Sequence, residues 1–250
     1  TVPAAQGYTR DPFDPGKDAQ TVWGLGSNDD GGSVVSMIAA FRHFFNSPLS
    51  FNLALALTVQ EERSGSDGAC YLYSPEGPLG GGGEFEADWV IVGEPTGMKA
   101  ATSERGLLVI DGTAHGVSGH AARGEGVNAL YIALDDISML RSFRFPRISP
   151  RMGEVAMNVT MISCGTAHNV IPDKCTFTVD IRPTEQYSNE EILSILTQNC
   201  RSTLKARNLS NRSSSVKDDS PLLKTAEALG IETFSSPTTS EWMRIDAHCT

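Results

Sequence analysis

The stretch VAMNVTMISCGTAHNVIPDKCTFTVDIRP, residues 155–183, reads as two strands in succession with no helix between them. Outward from it, GLLVIDGTAHG (106–116) is a strand and GVNALYIALDDISMLRSF (126–143) a helix. On the other side NEEILSILTQNCRSTLKARN (189–208) is a second helix, and RSSSVK (212–217) supplies a last strand. The order βαββαβ predicts the split βαβ sandwich of a ferredoxin-like α+β domain over residues 104–216.

The flanking chain has a different grain. TVWGLGS (21–27) is a short strand running into a glycine turn, and GGSVVSMIAAFRHFF (31–45) puts Val34, Ile38, Phe41 and Phe45 on one helical face. SFNLALALTVQ (50–60) and ADWVIVG (87–93) are near-continuous apolar runs, as parallel strands covered on both faces should be. SPEGPLGGGGEFE (74–86) between them is loose chain. DDSPLLKTAEALG (218–230) resumes a helix with Ser220 as N-cap, Pro221 at its first position and Gly230 beyond its end, and IETFSSPTTSEW (231–242) follows as strand and loop. The class predicted is α/β: a doubly wound domain of residues 1–103 and 217–250, interrupted by the α+β domain.

Thirty acidic against twenty basic side chains give a formal charge of -10, and no basic block stands out, so nucleic acid and anionic membrane are poor partners. Small molecules or other proteins fit better. Five cysteines (Cys70, Cys164, Cys175, Cys200, Cys249) without CxxC spacing indicate neither a disulfide framework nor a thiolate zinc site, and reduced thiols suit a cytoplasmic setting. No apolar run reaches the roughly 20 residues of a membrane span. TVPAAQGYTRDPFDPG has no signal pattern, and a start without Met predicts a fragment.

Three predicted strands end on acid: GLGSNDD on Asp29 and Asp30, LTVQEE on Glu61 and Glu62, VIVGEP on Glu94. Ligands of open α/β sheets sit at such strand ends. One acid there often caps a helix or faces water; three converging acids repel one another unless a cation offsets them. A divalent metal, or two sharing a carboxylate, is the natural occupant. Oxygen ligands alone suit Mg²⁺ or Mn²⁺, and added histidines favour Zn²⁺. In the adjacent pair one carboxylate can bind metal while the other takes a proton from attacking water. His43 reads as an ordinary helix histidine. His115, His120 and His168 lie in turns of the inserted domain, too far from the acids to assign by spacing, and His248 is unreadable. GLGSND lacks the third glycine of a dinucleotide fingerprint, and GGGG at 80–83 lacks the Gly-Lys-Ser/Thr of a P-loop.

TVP, GLGSNDDGG, QEERSG, VGEPT, GVSGHAARGEGVNAL and GTAHNVIPDKCTFTVDIR together resemble the metallopeptidase family of acetylornithine deacetylase, succinyl-diaminopimelate desuccinylase and aminoacylase, nearest its acetylornithine or N-acyl-citrulline branch. The resemblance implies a two-zinc or cobalt amidohydrolase of arginine biosynthesis acting on an N-acyl amino acid, with an inserted lid that forms a homodimer. It implies Asp29 as the carboxylate bridging both metals, Glu62 and Glu94 as ligands of one metal each, and Glu61 as general base. His120 resembles the lid histidine that reaches the partner subunit's site and stabilises the oxyanion. Asn169 and Arg182 resemble lid residues that hold the substrate carboxylate, for which a planar guanidinium is well shaped. The Asp29–Asp30 peptide is expected to be cis. The family's two metal histidines have no counterpart in this sequence, so either a longer protein supplies them or this polypeptide does not bind zinc in the family's way.

Overall fold

A computed structural model describes residues 3–59, 61, 67–78 and 87–245. Along the chain its elements are α1 (Gly31–Phe44), α2 (Ala69–Leu72), β1 (Ala100–Glu104), β2 (Leu108–His115), β3 (Gly119–His120), α3 (Ala129–Ser142), β4 (Ala156–Cys164) and β5 (Val170–Ile171). Then come β6 (Lys174–Arg182), α4 (Asn189–Asn199), β7 (Thr203–Ala206), β8 (Ser214–Ser215), α5 (Pro221–Ala228), β9 (Thr233–Ser236) and α6 (Trp242–Ile245). Two compact units result. One holds Thr1–Ala100, Thr225–Glu232 and Ser240–Thr250, the other Ala101–Lys224 and Thr233–Thr239.

The second unit is built on a four-stranded sheet in the order β4-β6-β2-β7, with antiparallel neighbours throughout. This is the ferredoxin-like order that the sequence predicts. Leu108, Ile110, Ala114, Cys175, Phe177, Val179 and Ile181 alternate onto one buried face. Ala129, Ile132, Ala133 and Leu140 of α3, with Ile192 and Leu196 of α4, complete that core. A Cβ on Gly112 would stand 2.3 Å from the Phe177 ring, so the ring fills the space a side chain would need. The other face is polar: Arg207 donates from Nε and Nη2 to the two Asp111 oxygens at 2.8 Å each. These bonds hold the Asp111 carboxyl below its ordinary range. Both helices start on side-chain caps, Asn128 accepting from Leu130 N at 2.9 Å and Ser188 from Glu191 N at 3.1 Å.

Two expectations for this unit need correction. The second helix stops at Asn199 instead of running to 208, and TLKA within that span becomes β7, the fourth strand of the sheet. RSSSVK is not that strand: its Ser214–Ser215 pairs with Ser103 and Glu104 in a separate three-stranded sheet, β8-β1-β9. The cause is Asp136 of α3, 3% exposed, which accepts from Arg201 N at 3.0 Å and Ser202 N at 2.8 Å. The buried carboxylate draws the chain out of the helix and starts it across the sheet.

In the first unit α1 forms where expected, with Val34, Ile38 and Phe41 half-buried and Phe45 exposed. The apolar runs differ from expectation. Residues 52–59 and 88–96 form no strand among the described residues, and Val59 and Ile91 are 63% and 71% exposed. A parallel strand is buried only between hydrogen-bonded neighbours and covering helices, and the described part of this unit supplies neither on both sides. Gln60 and most of the loose segment lie outside the described residues. Further along, Lys224 N donates to the Ser220 carbonyl at 3.2 Å and Gly230 has φ +67°, as the reading of SPLLKTAEALG requires.

Replacing Asp136 by Ala strips two buried backbone N–H groups of their acceptor. This is expected to lower stability by about 1–3 kcal/mol, read as a reduced urea midpoint by far-UV circular dichroism.

Candidate functional site

The GLGSNDDGG turn folds tightly on itself. Gly24 (φ +132°) and Gly26 (φ +76°) take the left-handed backbone, and Gly31 N donates to the Gly26 carbonyl at 2.9 Å. A Cβ on Gly31 would lie 2.6 Å from that carbonyl oxygen, so only glycine closes the turn. The Asp29–Asp30 peptide is cis, as expected. Asp29 is exposed at the head of α1, while Asp30 occupies the N-cap without a capping bond, its Oδ1 buried and unpartnered.

Glu94 comes to the same place by packing. A Cβ on Gly93 would meet Ser33 Cβ and Met37 Sδ at 2.8 Å each, so the VGEP backbone lies directly on the first turns of α1. Half-buried Glu94 follows it, so its segment packs on the helix that Asp29 and Asp30 precede. That terminus carries partial positive charge, which eases the crowding of acids. Glu61 is half-buried, and Glu62 lies outside the described residues.

Hard carboxylate oxygens suit a divalent cation. Among the described residues, however, no three His, Cys, Asp or Glu side chains converge to hold one. The donor chemistry fits a metal, and the described residues by themselves do not complete its ligand set.

In the second unit the loop GVSGHAARGEG presents His120. A Cβ on Gly116 would lie 2.1 Å from the Val127 carbonyl, and one on Gly119 2.0 Å from the Glu125 carbonyl, so the loop's two limbs touch through glycine. His120 pairs with Val170 in the β3–β5 ribbon, and Ala121 N donates to the Asn169 carbonyl at 3.0 Å. His120 and Asn169 are therefore neighbours, both exposed. Ala122 N donates to His120 Nδ1 at 3.2 Å, which puts the proton of a neutral ring on Nε2. Arg182 is elsewhere, at the far end of β6. Its Nε and Nη2 grip Asp180 at 2.9 and 3.1 Å. The strand between the His120–Asn169 end and Arg182 is about 26 Å long at ~3.3 Å per residue.

His43 stacks edge-on against Phe44 at 4.8 Å, and His115 and His168 are exposed; His248 lies outside the described residues. Burial pushes the Cys175 thiol up to about 11, with a hydrogen bond to Cys164 adding to the shift, and burial pushes Cys200 up to about 12. Neither offers a thiolate near neutrality. At pH 8 both are expected to alkylate at least about tenfold more slowly in the native than in the urea-unfolded protein, by peptide mass analysis, the gap narrowing as pH rises towards 11 for Cys175 and towards 12 for Cys200.

Glu241 escaped the sequence reading, which took TTSEW for a loop. Its carboxylate bonds Thr58 and Ala69, 183 and 172 positions away, and no local pattern signals contacts of that range.

Residues 102–208 match the family model of the peptidase dimerisation domain. The matched span covers the four-stranded sheet with α3 and α4. Over 192 residues the chain is 32% identical to acetylornithine deacetylase of Proteus mirabilis, covering 73% of this chain and 47% of that protein. It is 28% identical to succinyl-diaminopimelate desuccinylase 2 of a Ruegeria species, covering 78% and 50%. A solved tripeptidase from Staphylococcus aureus superposes with a TM-score of 0.53 at 18% identity, over 77% of this chain and 53% of that one. The chain belongs to the acetylornithine deacetylase and succinyl-diaminopimelate desuccinylase family of amidohydrolases and peptidases. It spans about half the length of the curated relatives it matches.

Proposed function

We propose that the protein hydrolyses the amide bond of an N-acyl-L-amino acid, of the N-acetylornithine or N-acetylcitrulline type used in arginine biosynthesis. The observation that supports this is the packing of the segment that carries Glu94 on α1, the helix that Asp29 and Asp30 precede, in a chain 32% identical to an acetylornithine deacetylase. Residues 1–103 and 217–250 would form the catalytic domain, and 104–216 the lid. Asp29, Glu62 and Glu94 would hold two divalent ions, zinc or cobalt. When bound, these supply Lewis acidity for the amide carbonyl and for water.

The chain's own residues do the proton work. A Glu61 carboxylate oxygen takes a proton from the attacking water and returns it to the departing nitrogen. His120 donates from Nε2 to the developing oxyanion, a role supported by the Ala122 N–H on its Nδ1. The amide of Asn169 and the guanidinium of Arg182 hold the substrate carboxylate, Asp180 keeping the guanidinium plane in place.

One chain presents His120 and Asn169 at one end of β6 and Arg182 at the other. A substrate about 10 Å long cannot meet both ends of a strand of about 26 Å, so the arrangement favours a homodimer in which each site takes the ribbon of one lid and the arginine of the other. Cys70, Cys164, Cys175 and Cys200 are free thiols, which agrees with a cytoplasmic location.

In the whole protein, Glu61→Ala is expected to lower kcat about 10²–10⁴-fold. Retention of deacylation within a few-fold sinks the assignment. A panel of acetyl, succinyl and dipeptide substrates separates deacetylase from the desuccinylase or dipeptidase alternative. A metal-free protein inert to the whole panel would be a non-catalytic dimeric interaction protein. Arg182→Met, which loses the guanidinium, is expected to raise KM by about tenfold or more with a smaller change in kcat.

A further inference from the structure

We propose that Glu241 is a positioning residue for Glu61, its carboxylate clamping the chain on both sides of that glutamate, at Thr58 and at Ala69. The proposal rests on the reading of Glu61 as the base. Glu241 Oε2 accepts from the Thr58 hydroxyl at 2.8 Å, and Oε1 accepts from the backbone N–H of fully buried Ala69 at 2.9 Å. Thr58 lies near the end of the apolar run before Glu61, and Ala69 opens α2 after it. One side chain therefore sets where the chain leaves and where it returns.

The fit is close enough to exclude a side chain at the crossing. A Cβ on Gly68 would fall 2.4 Å from Glu241 Oε1 and 2.8 Å from the Val59 carbonyl, so the two limbs of the loop and the carboxylate meet only because residue 68 is glycine. The clamp is itself anchored. Glu241 stands immediately before α6, its carbonyl accepting from Ile245 N at 3.3 Å, and Trp242 N donates to Ser240 Oγ at 3.1 Å.

A carboxylate suits this position because it offers two acceptor atoms to two neutral donors. Glutamine can nearly replace it: its carbonyl oxygen serves the Ala69 N–H, and its amide donates to the Thr58 oxygen once that hydroxyl turns. Alanine leaves a buried N–H unmet and frees both limbs. A base displaced by about 1 Å loses of the order of 10²-fold in rate without losing the substrate's binding groups, so the effect belongs in kcat.

The test compares Glu241→Ala, Glu241→Gln and Thr58→Val with parent and Glu61→Ala in the whole protein. N-acetylornithine serves as substrate, and amide hydrogen exchange of residues 67–72 as a readout independent of activity. Glu241→Ala is expected to lower kcat about 10–10²-fold with KM within about threefold, and to speed exchange at Ala69 about tenfold or more. Glu241→Gln should recover most of both, and Thr58→Val should fall between. The clamp is overturned if Glu241→Ala keeps kcat within about twofold of the parent, if exchange at Ala69 does not change, or if Gln is no better than Ala. Loss of rate in Glu241→Ala with full activity in Glu61→Ala overturns the base assignment instead. In a protein that cleaves no substrate at all, that assignment also fails, and exchange at Ala69 alone decides whether the clamp holds.

Discussion

The eight residue pairs that join β2 to β6, from Leu108↔Ile181 to His115↔Lys174, are the constraint on which the second unit depends. They bring inward-facing side chains of both strands onto one face, against which α3 and α4 fold, and leave the other face to Asp111, Thr178 and Arg207. The same ladder works as a ruler. It carries the His120–Asn169 ribbon beyond one end and Arg182 at the other. Slipping the register by one residue would turn Phe177 and Ile181 to the polar face, which is why a sheet with one buried face tolerates no slippage.

The first unit is governed by charge instead. Acids gathered at one helix end are unfavourable unless a helix terminus, a hydrogen bond or a cation offsets them. Glycine permits three close approaches in this unit: Gly31 lets the Asp29–Asp30 turn close, Gly93 lets the Glu94 segment lie on α1, and Gly68 lets Glu241 reach between two limbs of chain. Each is a place where backbone meets its neighbour at distances that a Cβ would forbid.

Legibility from sequence followed the range of the forces involved. The βαββαβ order, the start of α5 after Ser220 and the turn before α1 all depend on residues within a few positions, and those were readable. The end of α4 was not, because it is decided by Asp136, some 65 positions away from the amides it binds. RSSSVK looked like the last strand of the four-stranded sheet for the same reason: propensity says that a strand forms and is silent about which sheet takes it. The apolar runs at 50–60 and 87–93 show the limit of composition, since a run suited to burial is buried only where other strands and helices meet it.

By itself the sequence determined the α/β class, the inserted ferredoxin-like unit, the family, and the residue types able to do the chemistry, because periodicity, capping and short motifs are local. Only the tertiary structure decided that β7 comes from TLKA, that Asn169 sits beside His120 while Arg182 stands a strand-length away, and that Glu241 spans the loop of Glu61. Those are contacts between residues far apart in the chain. They follow from which surfaces pack and which buried N–H groups find an acceptor, and neither is visible until the chain has closed on itself.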